Sequence, residues 1–342
     1  MKQPGFFDVQ QRHESLEALD PLVELGQRIP WEEFREIIER VHKQDRKSPA
    51  GRPPWDAVVI MKALVLGRLY NLSDDQLEYH IRDRLSFMRF LGLQLEDRVP
   101  DAKTLWAYRE RLIRAEALEQ LFARFEQYLQ SQGYQARGGQ IVDATIVPVP
   151  RQRNKRQENE QIKKGEVPQE WEDKPSKLSQ KDVDARWVAK HGERQYGYKN
   201  HVSVDVEHGF VRCFTVSSAS VHDSQHFEEV LDESQKGEAV YADGAYRSRE
   251  RIEALAEKGF IERLHHKGHK HRPLTEQQKE INRTLSSTRV KVEHVFGYQE
   301  NSMGGKFLRS IGLTRARFGI GMMNLVYNLT RFARLQRRGC CA

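Results

Sequence analysis

Three carboxylates stand where a solvated surface charge is not expected. Asp143 interrupts the run Ile141-Val142-Asp143-Ala144-Thr145-Ile146-Val147, and an isolated acid in an apolar strand must be paired, hydrogen-bonded or bound to a cation. Asp243 follows Ala239-Val240-Tyr241-Ala242, at the C-terminal end of a short strand, where ligand sites of open α/β sheets gather. Gly244 then gives the backbone room to turn. Glu293 lies within Arg289-Val290-Lys291-Val292-Glu293-His294-Val295, a helical stretch that puts Arg289 one turn earlier on the same face. Taken singly, each acid reads equally well as a turn residue or an ion-pair member. Two acids on neighbouring strands and a third on a later helix can converge, but close carboxylates repel unless they are protonated or cation-bound. Hard, oxygen-preferring Mg²⁺, with Mn²⁺ as a substitute, relieves that repulsion and brings a substrate phosphate with it. Two such ions about 3.5 to 4 Å apart serve the attacking and leaving oxygens of an in-line displacement, so phosphodiester chemistry is expected.

The elements that must position these residues change character along the chain. Phe34, Ile37, Ile38 and Val41 recur at helical spacing; Gly51 to Pro54 breaks the pattern, and Trp55 to Leu69 restarts an apolar helix. Ser73 with Gln76 three residues on predicts a capping box, and further short helices follow to residue 135. Residues 51–135 therefore read as a compact helical bundle, and Arg82, Arg84, Arg89, Arg109, Arg111 and Arg114 make it compatible with a helix-turn-helix DNA reader or with a plain helical support. After Gly138-Gly139 the pattern turns β-rich: strands over 140–149, 201–206 and 210–216 with a turn at His208-Gly209, a helix over 227–231, a strand over 239–242, a helix over 248–258, a strand over 260–264 and a helix over 275–298. Residues 151–195, dense in charges of both signs, read as an insertion or mobile loop outside the core. His222 and Asp223, after a strand, read either as groups supporting the metal ligands or as the cap and turn of a helix over 225–232.

Composition narrows the class. Over 342 residues, 38% hydrophobic and 31% charged content suits a globular chain of two domains. Phe318 to Leu329 is interrupted by Gly and Asn and falls short of the roughly 20 residues a spanning helix needs. Met1 to Ser15 carries no apolar signal core, so a cytoplasmic protein without a membrane partner is expected. Cys213, Cys340 and Cys341 form neither a zinc knuckle nor a disulfide framework, and no Gly-rich phosphate loop is present. His265-His266-Lys267-Gly268-His269-Lys270-His271 lacks a carboxylate or Cys and reads as a basic loop. The net charge is +7, and Met303 to Ala342 holds eight Lys or Arg with no acid, which points to nucleic acid. Arg334, Arg337 and Arg338 are its exposed candidates for DNA contact.

Taken together, the chain resembles the bacterial insertion-sequence transposases of the DDE class, in the insertion-sequence-five group. The resemblance rests on Gly5 to Asp8, Leu72 to Gly92 with Val99-Pro100-Asp101, the Asp143 strand, Tyr196 to His201, Val221-His222-Asp223, Tyr241 to Tyr246 and Arg289 to Gly297. It implies an α/β fold: an RNase H-like mixed-sheet catalytic domain over 137–342, with the charged insertion at about 151–195, behind an all-α DNA-binding or support domain over 1–136. The catalytic and metal-binding triad carries over to Asp143, Asp243 and Glu293. The function implied is binding of terminal inverted repeats, metal-dependent cleavage and joining of the 3′-OH ends to target DNA, by a homodimer or larger assembly. A nuclease of the same fold without strand transfer, or an inactive DNA-binding protein, are the alternatives. The signature Tyr and Lys positions hold Ser286 and Glu300, so Arg289, Lys291, Lys306 and Arg309 are the candidates for phosphate contact.

Overall fold

A computed structural model describes residues 11, 14–15, 20–42, 53–190, 192–268, 271–337 and 339. The motif at Gly5 to Asp8, His269, Lys270, Arg338, Cys340 and Cys341 lie outside the described residues. The chain divides into two compact units, Met1–Gly133 with Leu325–Ala342, and Tyr134–Asn324.

The first unit is helical: α1 (Pro21–Arg28), α2 (Arg35–His42), α3 (Ala57–Leu69), α4 (Asp74–Asp83), α5 (Leu85–Leu91), α6 (Ala102–Arg114) and α7 (Ala117–Ser131). Side-chain caps set the starts. Asp56 accepts from Val58 N at 2.8 Å, Asp101 from Thr104 N at 2.6 Å, and Ser73 and Gln76 form the anticipated capping box. Helix α3 is apolar nearly all round because it is the central helix, burying Ile60, Met61, Val65 and Leu66 completely. The end of the last helix (Leu313–Arg337) belongs here: Phe332 sets its ring edge-on to Phe125 and Tyr128 at 6.0 and 5.6 Å. The expected division assigned those residues to the catalytic domain, but their apolar side chains make them part of the helical core.

The arginines offered above as DNA readers are largely fasteners within this unit. Arg109 grips Asp74 through both guanidinium nitrogens at 2.6 and 2.7 Å, tying α6 to the first turn of α4. Arg89 pairs with Asp20 and Arg82 with Glu78, while Arg84 and Arg111 lie over the rings of Phe87 and Tyr108.

The second unit is built on a six-stranded mixed sheet: β1 (Gln140–Pro148), β2 (Arg186–Lys190), β3 (Glu193–Asp205), β4 (Val211–Ser218), β5 (Ala239–Ala242) and β6 (Ile261–Leu264). The order is β2-β3-β1-β5-β6, with β4 on the β2 side of β3. Strand β1 is antiparallel to β3 along its whole length, and β5 and β6 join it in parallel. With the helical N-terminal part, this is the RNase H-like mixed α/β architecture. Gly139 permits the parallel join: a Cβ there would stand 2.4 Å from the Ala239 carbonyl oxygen. Even-numbered side chains of β1 and β5 face an apolar layer in which Val142, Val240 and Ala242 meet Phe227, Leu255 and Phe260, the last two flanking the end of α11 (Arg249–Glu257). The opposite face, with Asp143 and Thr145, lies towards α12 (Glu276–Asn301). The helix expected over 225–232 is instead a pair of short 3₁₀ turns.

Residues 151–195 overturn the loop expectation. They form α8 (Arg156–Lys163), α9 (Gln169–Glu172), α10 (Pro175–Leu178) and β2, around a wholly buried Trp171. The indole donates to Glu158 at 2.9 Å, and Lys181 lies over its ring at 4.9 Å. Buried Asp182 accepts from Tyr198 Oη at 2.7 Å and from the amides of Asp184 and Ala185, fastening the segment to β3. A charged composition conceals this small core because one tryptophan supplies most of its apolar surface. Trp171→Ala should cost about 3–5 kcal/mol in denaturant unfolding of the full chain; a change below about 1 kcal/mol would show that the segment contributes no core.

Candidate active site

Strand register brings the first two acids together. Gln140 pairs with Val240 and Ile141 with Tyr241 in parallel, an offset of 100, and Asp243, one residue past the end of β5, comes close enough for its charge to act on Asp143. Both face away from the apolar layer that takes Val142 and Ala242. At the end of β6, His265 N donates to Ala242 O at 3.1 Å, which sets the imidazole beside Asp243. His265, read from the sequence as part of a basic loop, and the buried Tyr246, quoted only within the Tyr241 to Tyr246 motif, are site neighbours; the signal for His265 was the parallel β5–β6 register, which puts Leu264 opposite Ala242.

Asp143 is largely withdrawn from water, its side chain 21% exposed. It accepts from its neighbour Ala144 N at 2.8 Å and from Arg289 of α12 at 3.1 Å. Desolvation raises its pKa above the ordinary carboxylate range; Arg289 pulls the other way, and the charge of Asp243 raises it further. Burial, then the charges of Asp143, Asp223 and Asp243, push the Tyr246 phenol far up, so it stays a neutral donor. Burial and Arg289 lower His265, keeping it neutral. Asp243 accepts from Ala245 N at 2.5 Å across the turn. The Arg289 Nε proton, also buried, has no partner among the described residues.

Glu293 does not join the pair. It is exposed on α12, one turn beyond Arg289, and among the described residues no group of three or more His, Cys, Asp or Glu stands close enough to hold a metal ion. The two aspartates nonetheless suit a hard divalent cation, being adjacent oxygen donors, one of them desolvated and already drawing a positive group. The expected basic loop reaches α12 by its backbone: Asn282 holds His266 N at 2.8 Å and His266 O at 3.0 Å.

The remaining expected residues scatter. Lys306 reaches the site's strand, donating to Thr145 Oγ1 at 2.9 Å and pairing with Glu300 at 3.3 Å. Leu308 N bonds Pro148 O, which sets the exposed Arg309 by the end of β1. Lys291 instead donates to Val206 O at 2.7 Å, beside the start of β1. His222 caps the following turn through Ser224, and Asp223 pairs with Lys199 at 2.7 Å. Arg334 and Arg337 lie in the helical unit, where Arg337 stands 3.6 Å from Glu24.

Comparison with known proteins adds independent findings. The family described as "Transposase DDE domain" matches residues 134–329, and that described as "Transposase domain (DUF772)" matches residues 10–111. A transposase for insertion sequence element IS1106 of Neisseria meningitidis serogroup B is 34% identical over 192 residues, 56% of this chain; the chain thus spans 64% of that relative's length. Among solved structures, a cryo-EM structure of the piggyBac transposase synaptic complex with hairpin DNA aligns at a TM-score of 0.46 and 11% identity, over 94% of this chain and 76% of that one.

The environment of Asp143 makes a stability prediction. Its folded pKa lies above the unfolded value of 3.8, so the ionised form is disfavoured by folding. That handicap is absent below about pH 3.8, grows as pH rises towards the folded value, and is complete above it. In EDTA at pH 7.5, Asp143→Asn should therefore be at least as stable as the wild type, its advantage shrinking on acidification. A variant clearly less stable at pH 7.5 would mean that Asp143 is a structural ion-pair member.

Proposed function

The chain belongs to the Transposase DDE domain family, and from that premise we propose that it is the DNA transposase of a bacterial insertion sequence. It binds the terminal inverted repeats of its element, cleaves the DNA with water, and joins the freed 3′-OH ends to target DNA by transesterification. The observation that carries this reading is the pair Asp143, in the central strand and held by Arg289, and Asp243, at the end of the parallel strand beside it, close enough for the two charges to interact. Asp143 and Asp243 would hold two Mg²⁺ ions, or Mn²⁺, and Glu293, which stands exposed on α12 apart from the pair, would serve as the third ligand only once metal and DNA are bound. When bound, the ions supply activation of the attacking oxygen and stabilisation of the leaving oxygen. Arg289 balances the buried charge of Asp143, and the exposed part of its guanidinium is assigned to a phosphate oxygen of the strand. The neutral Tyr246 and His265 limit competing charge around the pair. Asp223, neutralised by Lys199, and His222 support the strand ends behind it.

Lys306 and Arg309, beside the strand that carries Asp143, are the favoured phosphate contacts. Lys291, at the other end of β1, and Arg334, Arg337 and Arg338 of the last segment are assigned further, separate DNA contacts. The helical unit, matched by a transposase domain over 10–111, is assigned to terminal-repeat recognition. The active form is a homodimer or larger synaptic assembly, because two element ends are processed together.

On DNA carrying the element's own ends with Mg²⁺, Asp143→Asn, Asp243→Asn and Glu293→Gln should each lower cleavage and strand transfer by at least about 10³-fold while DNA affinity stays within about threefold, as loss of a metal-held charge-stabilising group implies. Wild-type cleavage by any of them removes that residue from the site. Cleavage by the wild type without joined product would identify a nuclease.

A further inference from the structure

The insertion over 151–195 interleaves acids and bases in sequence, but folding gathers four of its bases around one cavity with a single acid. The acids Glu158 and Asp182 are consumed internally, by the Trp171 indole and the Lys155 amide, and by Tyr198, two amides and Gly312 N. The bases surround a cavity of about 310 Å³ beyond the end of β1, lined by Arg151, Arg153, Lys177 and Lys181 among others, with Asp182 as the single acid in its wall. Lys177 is partly neutralised by Glu158 and Glu170 at 3.5 and 3.8 Å. Lys181 bonds only neutral oxygens, the Arg153 carbonyl and Asn154 Oδ1, so its charge is uncompensated. Arg151 and Arg153 are exposed and have no acid partner among the described residues. The ring of Trp187, itself 46% exposed, lies 5.6 Å under the Arg151 guanidinium, which orients the charge without cancelling it.

This cavity is continuous with the active-site strand. Segment 306–311 runs beside β1, with Lys306 on Thr145, Leu308 N on Pro148 O, and Ser310 and Ile311 in the cavity wall. From Asp143 to Val149 is six strand residues, about 20 Å at ~3.3 Å each, or roughly six phosphate steps of one DNA strand at ~3.4 Å.

We propose that the cavity formed by Arg151, Arg153 and Lys181 is a second phosphodiester site, which grips the backbone of the DNA strand about 20 Å from the bond being cut. This rests on the transposase reading and adds an anchor outside the catalytic acids. Uncompensated cations in a partly enclosed wall attract a polyanion, and each phosphate contact made releases counterions.

The test compares full-length wild type, Arg151→Gln/Arg153→Gln and a charge-matched control, Lys163→Gln/Lys164→Gln, on the exposed end of the same insertion. Duplex DNA affinity is read in EDTA from 50 to 200 mM salt, with thermal unfolding as a check on folding. The cavity variant should bind at least about tenfold more weakly at 100 mM salt, with a log–log salt slope shallower by about two units, while the control changes by less than half as much. Equal losses in both variants would reduce the effect to net charge and overturn the proposal. Wild-type affinity and slope in the cavity variant would overturn it too, and cleavage by that variant would leave the transposase reading standing. If inorganic phosphate binds the wild type but not the cavity variant while DNA affinity is the same in both, the cavity is a small-anion site and the proposal fails. A wild type with no DNA affinity would overturn both readings.

Discussion

The buried charge of Asp143 governs the arrangement of the second unit. A carboxylate in the central strand of a sheet costs several kcal/mol if left alone, so an opposite charge must be carried to it. Arg289 arrives on α12, and α12 must therefore lie across the face opposite the apolar layer. Its placement is secured further along by a buried amide cluster: Asn200 of β3 and Asn324 of the last helix exchange hydrogen bonds at 2.9 and 3.1 Å, and Gln299 donates to Asn324 at 2.9 Å. All three are essentially inaccessible. Such a cluster tolerates little slippage, because a shift of one residue would strand several donors at once.

Much of this was legible in the chain because it depends on local patterns. Ser73 with Gln76 named a helix start; His208-Gly209 named the turn between β3 and β4, and the 100-residue interval from Asp143 to Asp243 is itself the parallel register of β1 and β5. What escaped depends on long-range pairing. Arg109 looks like a surface base until Asp74, distant in sequence, is found within its fork. Tyr196 to His201 reads as a motif, yet it is the middle of a thirteen-residue strand whose edge away from β1 is shared by β2 and β4. Glu293 obeys the spacing that puts it on the face of Arg289, but spacing alone does not fix how far a side chain lies from the acids; here the guanidinium occupies the nearer place.

The insertion shows how far charge alone misleads. Its mixed signs resemble a solvated, unstructured linker, and the opposite conclusion follows once Glu158 and Asp182 are traced to Trp171 and Tyr198. Arg151, Arg153 and Lys181 are left without an acid partner and share one wall, a distribution that average composition cannot display.

Three aspartates of this unit separate a structural acid from a reserved one. Asp205, fully inaccessible, accepts from the amides of His208, Gly209 and Phe210 and from Arg212. Asp182 accepts from Tyr198 and from the amides of Asp184, Ala185 and Gly312. Two carboxylate oxygens offer about four acceptor sites, so these acids are saturated and have nothing left for a ligand. Asp143 has one adjacent amide and one guanidinium, and burial still raises its pKa despite them. A buried acid left undersupplied with donors, beside a second acid on the next strand, costs stability that folding alone would have no reason to retain. Its unfilled acceptor sites are what a cation requires, and the saturation of Asp205 and Asp182 shows that the same sheet can complete a carboxylate's donors where only structure is at stake.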